Sequence, residues 1–215
     1  MTLTWRDATS KDAELIAWVQ VEASRSGTPL GFWDLAFPGP DAGRLKRVAE
    51  VVVEAGKPSF AHYSGFIVAE LDGEPVGALS GYAPREKKLG YFAGALDRVL
   101  ERDGWSTAHR ELLWKRTMPM VACMSDTPEE RYVVEWVALK PQGRGKGVAA
   151  KLLDAMLERG RRAGFAKAQI SVLIGNAPAE RCYERAGFSV VDDKRDPAFE
   201  GIFGAPGIAR LWRDL

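Results

Sequence analysis

Val137-Ala138-Leu139-Lys140-Pro141-Gln142-Gly143-Arg144-Gly145-Lys146-Gly147-Val148 carries the chain from an apolar, strand-forming run through a loop with glycine at alternate positions into a helix-forming pattern. Glycine removes the Cβ that would keep a ligand away from the backbone, so successive N–H groups can converge on one anion. The helix that follows adds the positive end of its dipole, and Arg144 and Lys146 add formal charge. A strand, such a loop and a helix in this order predict a diphosphate site.

Spacing separates the nucleotide-binding loops that share this look. A phosphate loop of the G-x-x-x-x-G-K-[ST] kind needs an earlier glycine where Lys140 stands, and Ser or Thr where Gly147 stands. The dinucleotide fingerprint G-x-G-x-x-[GA] is matched by Gly145, Gly147 and Ala150. The next strand, however, ends in Leu173-Ile174-Gly175-Asn176, with no acidic residue to hold a ribose. The pattern [QR]-x-x-G-x-[GA] is satisfied by Gln142, Gly145 and Gly147.

Outward from the loop, residues 132–139 read as a strand and 148–162 as an amphipathic helix, with Val148, Leu152 and Met156 on one stripe and Gly164 closing it. Further strands are predicted at 168–173, 188–191 and 208–212, with a short helix at about 178–185. Upstream, a strand at 3–6 precedes a helix from 13 to about 24, a loop over 27–40 and a helix over 41–55. Residues 66–70 and 76–80 form a hairpin through Asp72-Gly73-Glu74-Pro75. Residues 83–130 hold two helices, at about 89–102 and 107–118, and read as an insertion between the third and fourth strands. The fold class expected is mixed α/β (α+β): a central, mostly antiparallel, twisted sheet of about six to seven strands flanked by helices.

Composition narrows the function classes. With 215 residues, 46% apolar and 27% charged, the chain suits one packed domain over 1–215 that includes the insertion. Thirty basic against 29 acidic residues, a net charge of +1, predict no attraction to nucleic acid or anionic membranes. No apolar run approaches the roughly 20 residues of a spanning helix, and the N-terminus lacks a basic segment followed by an apolar one, so a soluble cytoplasmic protein is expected. Cys123 and Cys182 lack metal-ligand spacing and the only histidines are His62 and His109, so no metal is expected.

A second motif follows the strand after the loop: Asn176-Ala177-Pro178-Ala179-Glu180-Arg181-Cys182-Tyr183-Glu184-Arg185-Ala186-Gly187-Phe188. It resembles the N-x-x-A-x-x-x-Y-x-x-x-G-F segment of the GNAT superfamily of N-acetyltransferases, and the glycine loop resembles that family's coenzyme A loop. The resemblance covers 132–191 closely and 3–82 in layout, and the helical insertion is similar in layout to that of puromycin N-acetyltransferase. It implies acetyl-CoA as cosubstrate, with no metal. Backbone at Val137, Ala138 and Leu139 would meet the pantetheine arm, and Gln142, Gly143, Arg144, Gly145, Lys146, Gly147 and Val148 would hold the pyrophosphate. Asn176 would fix the cofactor, Ala179 would leave it room, and Tyr183 would protonate the leaving thiolate.

The resemblance also implies transfer of acetyl to a primary amine of a small molecule, by direct attack in a ternary complex. A catalytically silent acyl-CoA sensor or interaction domain and a protein N-acetyltransferase stay open as alternatives, as does a homodimer. Glu135, a carboxylate in an apolar strand two residues before Val137, falls on the same face by alternation and is the candidate base; an edge or salt-bridged glutamate fits the pattern equally well. Phe32, Trp33, Trp105 and Trp114 are candidates for an apolar acceptor pocket, or for the core between helices.

Overall fold

The structure is a computed structural model and describes residues 2–124 and 126–215. Strands β1 (Leu3–Asp7), β2 (Phe66–Leu71), β3 (Glu74–Tyr82), β4 (Arg131–Leu139), β5 (Lys167–Leu173), β6 (Ser189–Arg195) and β7 (Gly207–Asp214) form one seven-stranded sheet in the order β1-β2-β3-β4-β5-β7-β6. Strands β4 and β5 run parallel, and the other neighbouring pairs are antiparallel. The helices are α1 (Ala13–Arg25), α2 (Phe32–Ala36), α3 (Asp41–Glu54), α4 (Leu89–Arg102), α5 (Thr107–Cys123), α6 (Val148–Arg162), α7 (Ala177–Arg185) and α8 (Pro197–Phe203). The expected mixed sheet is therefore present. Helices α4 and α5 leave from β3 and return to β4, and those two strands still pair directly, with Gly81 opposite Val134.

The period of two in a strand sorts the core into layers. Phe66 and Val68 of β2 pack with α1, α3 and α4, whereas Ile67 and Ala69 pack with α6. Along α6 the buried residues Val148, Leu152, Leu153, Met156 and Leu157 follow the helical period, and burying each large side chain contributes about 2 kcal/mol. Gly160 continues that face because a Cβ there would stand 2.9 Å from the Tyr132 ring. A smaller cluster joins α5 to α8 through Cys123, Phe199 and Phe203.

Three local expectations change. The stretch 27–40 is not all loop: residues 32–36 turn into α2, because Phe32, Trp33, Ala36 and Phe37 find a buried site there. The carboxylate of Asp34 accepts from the Gly31 N–H at 2.9 Å and pairs with Arg25 and Arg44, which fixes that turn. Helix α5 runs past the expected end at Met118 to Cys123, with Pro119 inside it. Helix α8 had no counterpart among the expected elements; Asp196 caps it by accepting from the Phe199 N–H at 2.8 Å, and Pro197 fills its first position.

Candidate active site

Strand β5 follows β7 in unbroken register from Lys167 to Leu173, but it meets β4 only from the pair Arg131 and Lys167 to the pair Val134 and Ile170. Beyond that point no further pairing joins the two strands among the described residues. The gap opens as a cavity of about 170 Å3. Its walls include Glu135, Trp136 and Val137 of β4, Ser171 and Val172 of β5, Tyr183 of α7, Tyr82 of β3 and Ser26 at the end of α1.

A β-bulge accounts for the parting. Ala78 stands opposite Ala138, yet Ser80 stands opposite Glu135, so β4 carries one extra residue across that step. Trp136 absorbs it with φ of 54°, a left-handed conformation that costs a bulky residue on the order of 1–3 kcal/mol. The bulge also changes which way the strand's side chains point. Val134 packs on the α6 side, Trp136 on the α1 side and Val137 on the α6 side again. Glu135, which follows Val134, therefore shares the α1 face with Trp136 and does not share a face with Val137. The expectation of one face for Glu135 and Val137 is corrected: alternation holds only in a regular strand.

Glu135 is half-buried as a residue, while its Oε1 has no accessible surface and no hydrogen bond. Its Oε2 accepts from the Tyr82 hydroxyl at 3.1 Å. Loss of water around the carboxylate pushes its pKa up to about 7, against smaller opposing effects of Tyr82, the Trp136 indole and the Lys87 charge. The Trp136 Nε1 is likewise buried without a hydrogen bond of good geometry. Glu135 is thus a carboxyl poised to exchange a proton near neutral pH.

Tyr183 is buried, and its ring meets Phe188 edge-on at 6.3 Å between centroids. Burial pushes the phenol well above its ordinary value, so it keeps its proton at neutral pH. Helix α7 holds it there. Asn176 caps that helix, its Oδ1 accepting from the Ala179 N–H at 3.3 Å, while its Nδ2 donates to Ser26 Oγ at 2.9 Å. In this structure Asn176 therefore ties α7 to the end of α1 at the rim of the cavity. Ala179 packs against the α6 cluster, four residues before Tyr183 on the same helix face.

The glycine loop lies between the end of β4 and α6. Gly145 and Gly147 adopt φ of 70° and 74°, and a Cβ on either would meet only open space. Gly147 is the N-cap of α6, so the first N–H groups of that helix have no intrahelical acceptor. Arg144 and Lys146 are exposed, and Arg144 Nε donates to Leu139 O at 2.9 Å. Gln142 is exposed beside Gly143, which is packed against Val76.

The aromatic candidates sit elsewhere. Trp33 has no exposed surface, stacks on Phe37 with rings 3° from parallel and meets Phe92 edge-on; Phe32 packs against both Trp33 and Phe92. Neither lines the cavity, because the turn that forms α2 drives both inward. Trp105 and Trp114 pack against the same core cluster. His62 is buried away from the cavity, and burial, then Lys87 and Lys57, pushes its pKa down to about 4. Burial pushes the Cys123 and Cys182 thiols up, away from the thiolate. Ser26, Tyr82 and Ser171 line the cavity without having been singled out from sequence. Tyr82 stands opposite Val133 and reaches diagonally to Glu135, a relation that exists only through the β3–β4 register.

No curated protein matches the chain. The structure of an acetyltransferase is similar at 21% identity, with a TM-score of 0.68 over 98% of each chain. An N-acetyltransferase from Staphylococcus aureus Mu50 is similar at 18% identity and a TM-score of 0.69, over 98% of this chain and 100% of that one. The aminoglycoside acetyltransferase AAC(6')-Ib in complex with coenzyme A is similar at 18% identity and a TM-score of 0.54, over 99% of this chain and 95% of that one. These likenesses show the fold. The profile of the Acetyltransferase (GNAT) family matches residues 44–188, which span the glycine loop, β4, β5 and α7, and the chain belongs to that family of acyltransferases.

Proposed function

We propose that the protein transfers an acetyl group from acetyl-CoA to a primary amine of a small molecule, the amine attacking directly while both substrates are bound. The observation that carries this is the cavity between the parted strands, which Glu135 and Tyr183 both line, beside a β4 that runs straight into the glycine loop. The residues present fit the cosubstrate: open space over Gly145 and Gly147 suits a pyrophosphate, and among the described residues no strand pairs with β4 on the β5 side beyond Val134, which suits the amides of a pantetheine arm, with Leu139 O shared with Arg144 Nε. Val137, Ala138 and Leu139 would hold that arm, Gln142 to Val148 the pyrophosphate, and Ala179 would leave it room. Acetyl-CoA supplies the thioester carbon for attack and the thiol that leaves.

Glu135 takes the proton from the amine, directly or through a water, which a pKa of about 7 allows near neutrality. As the C–N bond forms and the C–S bond breaks, Tyr183 gives its proton to the departing sulfur. Both cysteines are held as thiols by burial, which supports direct attack over an acyl-cysteine route. The neighbour solved with coenzyme A and kanamycin supports a small-molecule acceptor. The test is thiol release from acetyl-CoA across classes of amine, with products read by mass spectrometry and acyl length varied. An N-acetylated small amine is the expected product. Release with peptide or protein amines alone would overturn the small-molecule assignment.

A further inference from the structure

Glu135 has two carboxylate oxygens in unequal surroundings. Oε2 is held by the Tyr82 hydroxyl at 3.1 Å, whereas Oε1 is shut from solvent without a hydrogen bond of good geometry, the Trp136 indole being the other donor near the carboxylate. A buried acceptor left open is a place that a bound group completes. We propose that Tyr82 is the positioning residue of the base: by holding Oε2 it fixes the carboxyl plane and leaves Oε1 as the atom that takes the amine proton. This rests on Glu135 being the base.

The geometry depends on both strands. Tyr82 is near the end of β3 opposite Val133, and its phenol spans the diagonal to Glu135, just before the bulge at Trp136. The phenol remains a donor throughout the working range, because burial and the neighbouring carboxylate both push its pKa well above the ordinary value. The titratable and charged groups facing Glu135 are Tyr82 from β3, Lys87 beyond that strand and Tyr183 from α7 on the same cavity. From α1 and its C-cap, β5 and β7 the cavity receives Ala23, Ser26, Gln169, Ser171 and Ile208 among others, none of which titrates in this range. Beside the Trp136 indole, Tyr82 is the donor on the carboxylate, among the described residues, that a single substitution removes while leaving the ring.

Without that donor the ionised carboxylate is less favoured, so its pKa rises. In Tyr82→Phe, the midpoint of the Glu135 carboxyl carbon, followed by 13C NMR of labelled glutamate and assigned by its loss in Glu135→Gln, is expected to move up by about one pH unit. The acid limb of kcat/KM should move with it, so the rate loss is largest below neutrality and recovers at high pH. In a Glu135→Gln background, Tyr82→Phe should change kcat by less than about twofold, since the pair acts as one unit. Fluorotyrosine at position 82, a stronger donor of nearly the same shape, should move the midpoint down, which keeps the test intact if Tyr82→Phe folds poorly. An unmoved midpoint in both variants, or an equal fall of kcat in both backgrounds, overturns the positioning role. A midpoint that moves while Glu135→Gln keeps the parental pH–rate profile leaves the hydrogen bond standing and removes the base, and the proposal falls with it.

Discussion

In the proposed transfer Tyr183 and Glu135 would meet opposite demands at neutral pH, one keeping a proton and the other able to lose it, and burial disfavours charge on both. Tyr183→Phe deletes one hydroxyl and keeps the ring that packs on Phe188. Turnover is expected to fall by roughly a hundredfold, the scale of a positioned general acid, with acetyl-CoA affinity kept. Single-turnover kinetics checks this; a parental rate where chemistry limits would make Tyr183 a packing residue. For Glu135, kcat/KM should rise with pH through about 7 and that limb should vanish in Glu135→Gln. The same shift has a stability sign. A carboxyl whose folded pKa is raised from 4.5 to about 7 removes stability as pH climbs through that window, so Glu135→Gln should melt higher than the parent at pH 8 and no higher at pH 4. That Tyr183 shares a helix face with Ala179 behind the cap at Asn176 was legible from sequence because that spacing is local to one helix. Tyr82 was not, because its partner lies 53 residues away.

At the scale of elements, what the glycine loop offers the proposed pyrophosphate is its backbone conformation and the start of α6. Gly145 is left-handed with open space above it, so a side chain there is strained but does not clash. Asparagine tolerates this conformation and has nearly the shape of aspartate, which isolates charge from bulk. Gly145→Asp is expected to bind coenzyme A at least about tenfold more weakly than Gly145→Asn by calorimetry, a difference of about 1.4 kcal/mol. Equal affinities would remove the pyrophosphate from this loop. The loop, the hairpin and α6 were readable because glycine spacing, turn residues and helical period are local signals. Helix α8 carries such a signal as well, in Asp196-Pro197. Helix α2 carried a weaker one, because Gly, Pro and aromatic residues in 27–40 also suit a loop, and the burial that decides between them is tertiary.

For the molecule as a whole, the aromatics that suit either an acceptor pocket or the core between helices show where sequence stops. Trp33 joins Phe32, Phe37 and Phe92 in the layer under α1, α3 and α4, so Trp33→Ala should destabilise the fold by about 3–5 kcal/mol in denaturant titration while coenzyme A affinity in the folded protein holds. A changed acceptor KM at unchanged stability would return Trp33 to the pocket. The sequence by itself determined the mixed sheet, the glycine loop ahead of a helix, the helix that carries Tyr183 and the family those motifs resemble, because periodicity, glycine placement and capping act over a few residues. Only the tertiary structure decided that β4 bulges at Trp136, that Glu135 leaves the face of Val137, that Tyr82 reaches its carboxylate and that Phe32 and Trp33 turn inward. Each of these depends on strand register or on which surface another element covers, and contacts between residues dozens of positions apart set both.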